Sequence, residues 1–152
     1  MPKIAGVKTK IAAYFWHMKL LALALFLCSM VPSESSFKEA MIQASSEDKP
    51  LLLIFSGSDW CRPCIAFKKD VLDAEAFKEY ADASLVHFVA DLPRNQALLS
   101  PAQLAENREL AAIYNPEGHF PQLILFKNGQ VIKSKAGAFS TFNELKAWIE
   151  SE

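Results

Sequence analysis

The stretch from Leu51 to Cys64, LLLIFSGSDWCRPC, constrains this chain more than any other part of it. Five apolar residues, Leu51 to Phe55, make a strand that is apolar at every position, as expected of one buried on both faces at the centre of a sheet. A short polar turn follows, and Trp60-Cys61-Arg62-Pro63-Cys64 then opens a helix. A cysteine at the first turn of a helix faces unpaired backbone N–H groups and the positive end of the helix dipole, and both favour the thiolate. The second cysteine lies one helical turn further in, close enough to close a small ring with the first. Such a pair can store and release two electrons. Pro63 fits because the N–H it lacks would be unpaired in the first turn. Two other readings compete: half of a zinc site, or two cysteines that merely pack. A structural zinc site wants four ligands, and beyond this pair the chain offers only Cys28, in an apolar N-terminal segment, with His87 and His119. The position between strand and helix, with Trp60 just before, favours the redox reading, which needs neither metal nor organic cofactor.

The 152 residues allow one ordinary domain and a leader. Net charge is −1 with no basic block, so nucleic-acid binding has no electrostatic footprint. No glycine-rich phosphate loop, repeat or low-complexity tract stands out. At the N-terminus, Lys3, Lys8, Lys10 and Lys19 precede the apolar run Leu20 to Val31, and the first acidic residue is Glu34. This is the layout of a secretory signal. The run is short for a membrane span, which needs about 20 residues; extending it back to Ile11 encloses His17 and Lys19. Residues 1–35 are therefore read as a cleaved signal peptide or an uncleaved anchor, with small residues at Val31-Pro32-Ser33 and Ser33-Glu34-Ser35 as cleavage candidates. In both cases the lysines stay inside and residues 36–152 are delivered outside the cytoplasm, to a periplasm if there is one. A lipid anchor on Cys28 is disfavoured by the bulk of Leu27.

Local signals order the rest. Ser36-Phe37-Lys38-Glu39 has the form of a capping box, with Phe37, Ala40, Met41 and Ala44 on one helical face. After the cysteines, Ile65 to Leu72 continues a helix, Asp73 is placed to cap a second piece through Tyr80, and Ser84 to Ala90 is another strand. Strand, helix and strand in this spacing make a parallel βαβ unit. Ser100-Pro101 with Gln103 starts a helix to about Tyr114, ended by Asn115, Pro116 and Gly118. Gln122 to Phe126 and Val131 to Lys135 flank Asn128-Gly129, a preferred hairpin turn. Thr141 to Glu144 forms another box, and Phe142, Leu145, Trp148 and Ile149 give the last helix its buried face. The sum is an α/β fold, a mixed sheet of about four strands with helices on both faces.

Together with Cys61-x-Pro63-Cys64, the residues Phe120-Pro121, Lys127-Asn128-Gly129, Val131, Gly137, Ser140 and Leu145 resemble the thioredoxin family at matching spacing, from about Ser36 to the end. The segment Ser56 to Cys61, with Asp91-Leu92-Pro93, Asn107, Glu109, Leu110 and Tyr114, is similar to the exported DsbH-type thioredoxin-like proteins of chlamydiae. The resemblance implies a thiol-disulfide oxidoreductase that keeps exported proteins reduced, with a membrane thiol-disulfide relay as electron donor and a monomeric state. It further implies a cis Pro121 beside Cys61, with Phe120 offering its backbone to an extended substrate, and places Gly137 near the same groove. Two departures stand out. Thioredoxin has a buried aspartate on the strand before the active site, for proton transfer at the second cysteine, where this chain has Phe55. Asp59 and His87 are the substitutes considered, with His119 a third, although each also reads as an ordinary loop or strand residue. Between the cysteines, Arg62-Pro63 replaces Gly-Pro, and the Arg62 charge favours the Cys61 thiolate and a more oxidising couple. Trp60 is expected to cover the site by packing. An oxidase or isomerase, a dedicated partner in a pathway such as cytochrome maturation, and a non-enzymatic binding module remain as alternatives.

Overall fold

Strand β1 (Leu51–Ser56) is buried from Leu51 through Phe55, and its two faces open onto two different cores. In the computed structural model, which describes residues 36–151, β1 pairs in parallel with β2 (Val86–Asp91) and antiparallel with β3 (Gln122–Lys127). Strand β4 (Gln130–Ala136) returns antiparallel to β3, so the sheet order is β2-β1-β3-β4. The described residues fall in one compact unit, Ser35–Glu152. The leader and Cys28 lie outside them, and none of the described helices is long and apolar enough to cross a membrane.

The alternation of side chains along a strand sorts the core into two layers. On one face Leu52, Ile54, Leu123 and Leu125 pack against Phe67, Val71, Phe77, Ala81, Leu145 and Ile149. These come from α2 (Arg62–Phe67), the π-helical turn Lys68–Leu72, α3 (Glu75–Ser84) and α5 (Phe142–Glu150). On the other face Leu51, Leu53, Phe55, Ile124 and Phe126 meet Ala40 and Ala44 of α1 (Phe37–Ser46) and Leu110 of α4 (Pro101–Tyr114). The α/β architecture expected from the strand and helix signals is present.

The caps explain most helix starts. Ser36 and Glu39 exchange both bonds of a capping box, as do Ser100 and Gln103, with Pro101 in the first turn. At α5 the box is displaced: Thr141 accepts from the Glu144 N–H at 3.3 Å, while the Glu144 carboxylate accepts from the N–H of Ser140. Asn128 and Gly129 both have positive φ, 53° and 75°, which matches the right-handed twist of the flanking strands.

Asp73 departs from expectation. The helix after the cysteines widens into the π turn, where the Asp73 N–H donates to the Lys68 carbonyl at 2.8 Å. The Asp73 carboxylate then pairs with Lys68 Nζ at 2.7 and 2.8 Å, and α3 begins at Ala74 without a side-chain cap. The extra residue of the π turn puts Asp73 one position too early to cap α3.

Candidate functional site

The turn between β1 and α2 is anchored on Gly57, whose carbonyl accepts from the N–H groups of Cys61 at 2.9 Å and Trp60 at 3.3 Å. The Trp60 indole lies directly over this glycine: a Cβ on Gly57 would sit 2.3 Å from indole Cε2. Only glycine leaves the ring that room. The indole Nε1 donates to the Leu92 carbonyl at 2.9 Å, the Arg94 guanidinium stacks 5.4 Å from the ring centroid, and Phe120 meets it edge-on at 5.1 Å. Trp60 thus ties the cysteine turn to the loop after β2 and to the loop before β3.

Two acids hold the same turn. The Asp59 carboxylate accepts from the backbone N–H groups of Asn95 at 2.8 Å and Arg94 at 2.9 Å. These bonds, Asn95 first, hold its pKa below the ordinary carboxylate value. Asp91, at the carboxyl end of β2, accepts from the Ser58 N–H at 2.8 Å and from the Ser58 hydroxyl, and its own carbonyl accepts from Asn107 Nδ2 at 2.8 Å.

Cys61 is the N-cap of α2, and its sulfur accepts from the Cys64 N–H at 3.3 Å. The two sulfurs are bonded at 2.11 Å, with Cα atoms 5.2 Å apart. Both cysteines are buried, while Arg62 and Pro63 between them are exposed. A backbone N–H donor in this position favours a thiolate over a thiol at Cys61 Sγ. The Phe120-Pro121 peptide is cis. Because β3 starts at Gln122 opposite Phe55, that bond lies at the same end of the sheet as the cysteine turn. Pro121 is fully buried, and its carbonyl accepts from the N–H of Gly137, which has φ 88°.

His119 stands apart from the sulfur turn, whereas His87 lines the same cavity as Cys64. His87 pairs in register with Leu52 and therefore lies on the α2 face of the sheet, whereas Phe55 pairs with Ala90 on the opposite face. The His87 ring packs edge-on against Phe77 at 5.2 Å. That contact removes water from one side and holds its pKa below the ordinary 6.5, against the opposing pull of Asp82. His119 has its backbone bonded on both sides by the Asn115 side chain and its ring 3.5 Å from the exposed Glu117 carboxylate. Arg94 and the Ser58–Asp91 pair had no local signature, since each acts across the fold, and Gly57, which acts on Trp60 three residues on, reads as an ordinary turn glycine. The carboxyl end of a parallel strand was the clue available for Asp91.

Comparison with known proteins agrees with this geometry. A family profile described as a thioredoxin-like domain matches residues 37–151. The chain is 35% identical over 89 residues to the disulfide bond reductase DsbH of Chlamydia pneumoniae, covering 59% of this chain and 52% of that protein, so it spans about half the length of this relative. A solved DsbH oxidoreductase superposes with a TM-score of 0.65 at 26% identity, over 79% of this chain and 85% of that one. A poplar thioredoxin h superposes with a TM-score of 0.54 at 22% identity, over 76% of this chain and 90% of that one, which speaks to the fold. The matched profile takes in both core layers, the cysteine turn and the hairpin alike, and the chain belongs to the thioredoxin-like family.

Proposed function

We propose that this chain is an exported thiol-disulfide oxidoreductase that reduces disulfides in exported proteins through the Cys61/Cys64 dithiol. The observation that carries the reading is the Cys61–Cys64 bond closed at the start of α2, with Cys61 Sγ facing the Cys64 N–H. In the reductive direction the Cys61 thiolate attacks a substrate disulfide and expels one substrate thiolate. Cys64 then displaces the second, leaving the substrate as a dithiol and the Cys61–Cys64 bond re-formed. A membrane thiol-disulfide relay returns two electrons to the pair, so no metal or organic cofactor takes part. Phe120 offers its backbone to an extended substrate segment, with Pro121 as the floor of that groove and Trp60 as its wall, and the protein works as a monomer. The apolar leader preceded by lysines supports export, and the name of the chlamydial relative supports the reductive direction. The exposed Arg62 beside the nucleophile favours a second reading, a more oxidising couple that forms or reshuffles disulfides.

Insulin reduction by the full chain with dithiothreitol as donor tests the reading. Cys61→Ser is expected to remove the activity, and Cys64→Ser to accumulate mixed disulfides with protein substrates. Unchanged reduction by Cys61→Ser would sink the oxidoreductase assignment and leave a binding module.

A further inference from the structure

Cys64 is 2% exposed, yet as a thiol it must lose a proton before it can attack a mixed disulfide, and no side chain is hydrogen-bonded to its sulfur among the contacts at this turn. A cavity of about 240 Å³ reaches it. Its floor is Ile54 and Ser56 of β1, one wall is Lys68, Leu72 and Asp73 of the π turn, and the other is His87, Val89 and Asp91 of β2. The helical wall includes residues of the π turn Lys68–Leu72, a distortion that recurs at functional sites. Ser56, Ser58 and Asp91 give the cavity polar atoms among largely apolar walls, and it has room for several waters at about 30 Å³ each.

We propose that Asp91 accepts the Cys64 proton through water in this cavity, and so acts as the positioning residue of the resolving step. The inference rests on the oxidoreductase reading above. Asp91 pairs in register with Ser56, at the end of the sheet that carries the cysteine turn. The charged and titratable groups facing it are few. Lys68 and Asp73, across the cavity on the π turn, neutralise each other at 2.7 Å. His87 is four residues back on the same strand, about 13 Å away at 3.3 Å per residue. From the cysteine turn Ser58 supplies only donors, and from α4 Asn107 engages the Asp91 carbonyl, leaving the carboxylate to the cavity. Asp59 does not line the cavity and is held by the amides of Asn95 and Arg94. The two bonds from Ser58 fix the Asp91 carboxylate in orientation, and its remaining lone pairs are open to water.

The step balances. The Cys64 proton passes by water to Asp91, the Cys64 thiolate attacks Cys61 Sγ, the Cys61–Cys64 bond forms and the Cys61–substrate bond breaks. The substrate sulfur leaves as a thiolate, carrying the electron pair. When a donor reopens the Cys61–Cys64 bond, the proton returns from Asp91 to Cys64.

The test follows the reduced full chain in stopped flow with a symmetrical aromatic disulfide that releases coloured thiols. The first equivalent reports attack by Cys61, and the second reports resolution by Cys64. For Asp91→Asn, the second phase is expected to slow about 10- to 100-fold relative to the first near neutral pH, and to recover as pH rises. Asp91→Glu is expected to restore most of the second phase. A second phase with unaltered rate and pH profile in Asp91→Asn would overturn the proposal. So would a parallel loss of both phases at every pH, which would make Asp91 a fold-holding residue. No first phase in the unaltered protein would instead remove the oxidoreductase reading on which the proposal stands.

Discussion

Gly57 has no space for a side chain, because the Trp60 indole occupies the position a Cβ would take. Gly57→Ala must displace the ring, which loosens the Nε1 bond to Leu92 and the contact with Phe120. The expected cost is about 1–3 kcal/mol, with a changed tryptophan fluorescence, measured by urea unfolding. His87 carries a second prediction. Its folded pKa lies below the ordinary 6.5 that it regains on unfolding, so the unfolded chain binds more protons at mildly acidic pH. Stability is full above 6.5 and declines as pH falls from there toward the folded value. His87→Phe, which keeps an aromatic contact with Phe77 and removes the titration, is expected to flatten that slope in denaturant midpoints taken across the interval. Neither contact is announced by residue type: Gly57 reads as one more turn glycine until the Trp60 rotamer is known, and the side of the sheet His87 occupies needs the β1–β2 register.

At the scale of elements, those built by local chemistry were legible in the sequence and those shaped by packing were not. The uniformly apolar β1, the Asn128-Gly129 hairpin and the boxes at Ser36 and Ser100 each carry their own cause within a few residues. The π turn does not. Phe67 and Val71 on either side of its start stay in the core, and Asp73 is a partner of Lys68 where a helix cap was expected. The Ser58–Asp91 bonds, 33 residues apart in sequence, are equally beyond local signals. Two substitutions probe the elements. Ile54→Ala, at a β1 position 1% exposed between the sheet and the cysteine helix, is expected to lower stability by about 2–5 kcal/mol. Thr141→Ala removes the oxygen that caps α5 and is expected to cost about 1 kcal/mol. Chemical denaturation reads both, and because α5 lies away from the cysteine turn in sequence and caps only itself, Thr141→Ala should leave insulin reduction unchanged.

For the molecule as a whole, the two-layer core holds three separate segments against one another: the cysteine turn, the loop after β2 and the cis Phe120-Pro121 loop. Trp60 and the Ser58–Asp91 pair join the first two, and Trp60 with Phe120 joins the first and third. The mixed four-stranded sheet, its central first strand and the cysteine position could be read from the sequence, as could the family; the strand order and the choice of groups around the sulfurs required the fold. Electron delivery to substrates is tested most directly by the reduction potential of the Cys61/Cys64 couple in the full chain, equilibrated against dithiothreitol and glutathione buffers. A reductase should give a value of about −230 to −270 mV, where thioredoxins and glutaredoxins lie. A value of about −120 to −180 mV, the range of strong oxidants and isomerases, would contradict electron delivery and point to Arg62 as the charge that holds the couple there.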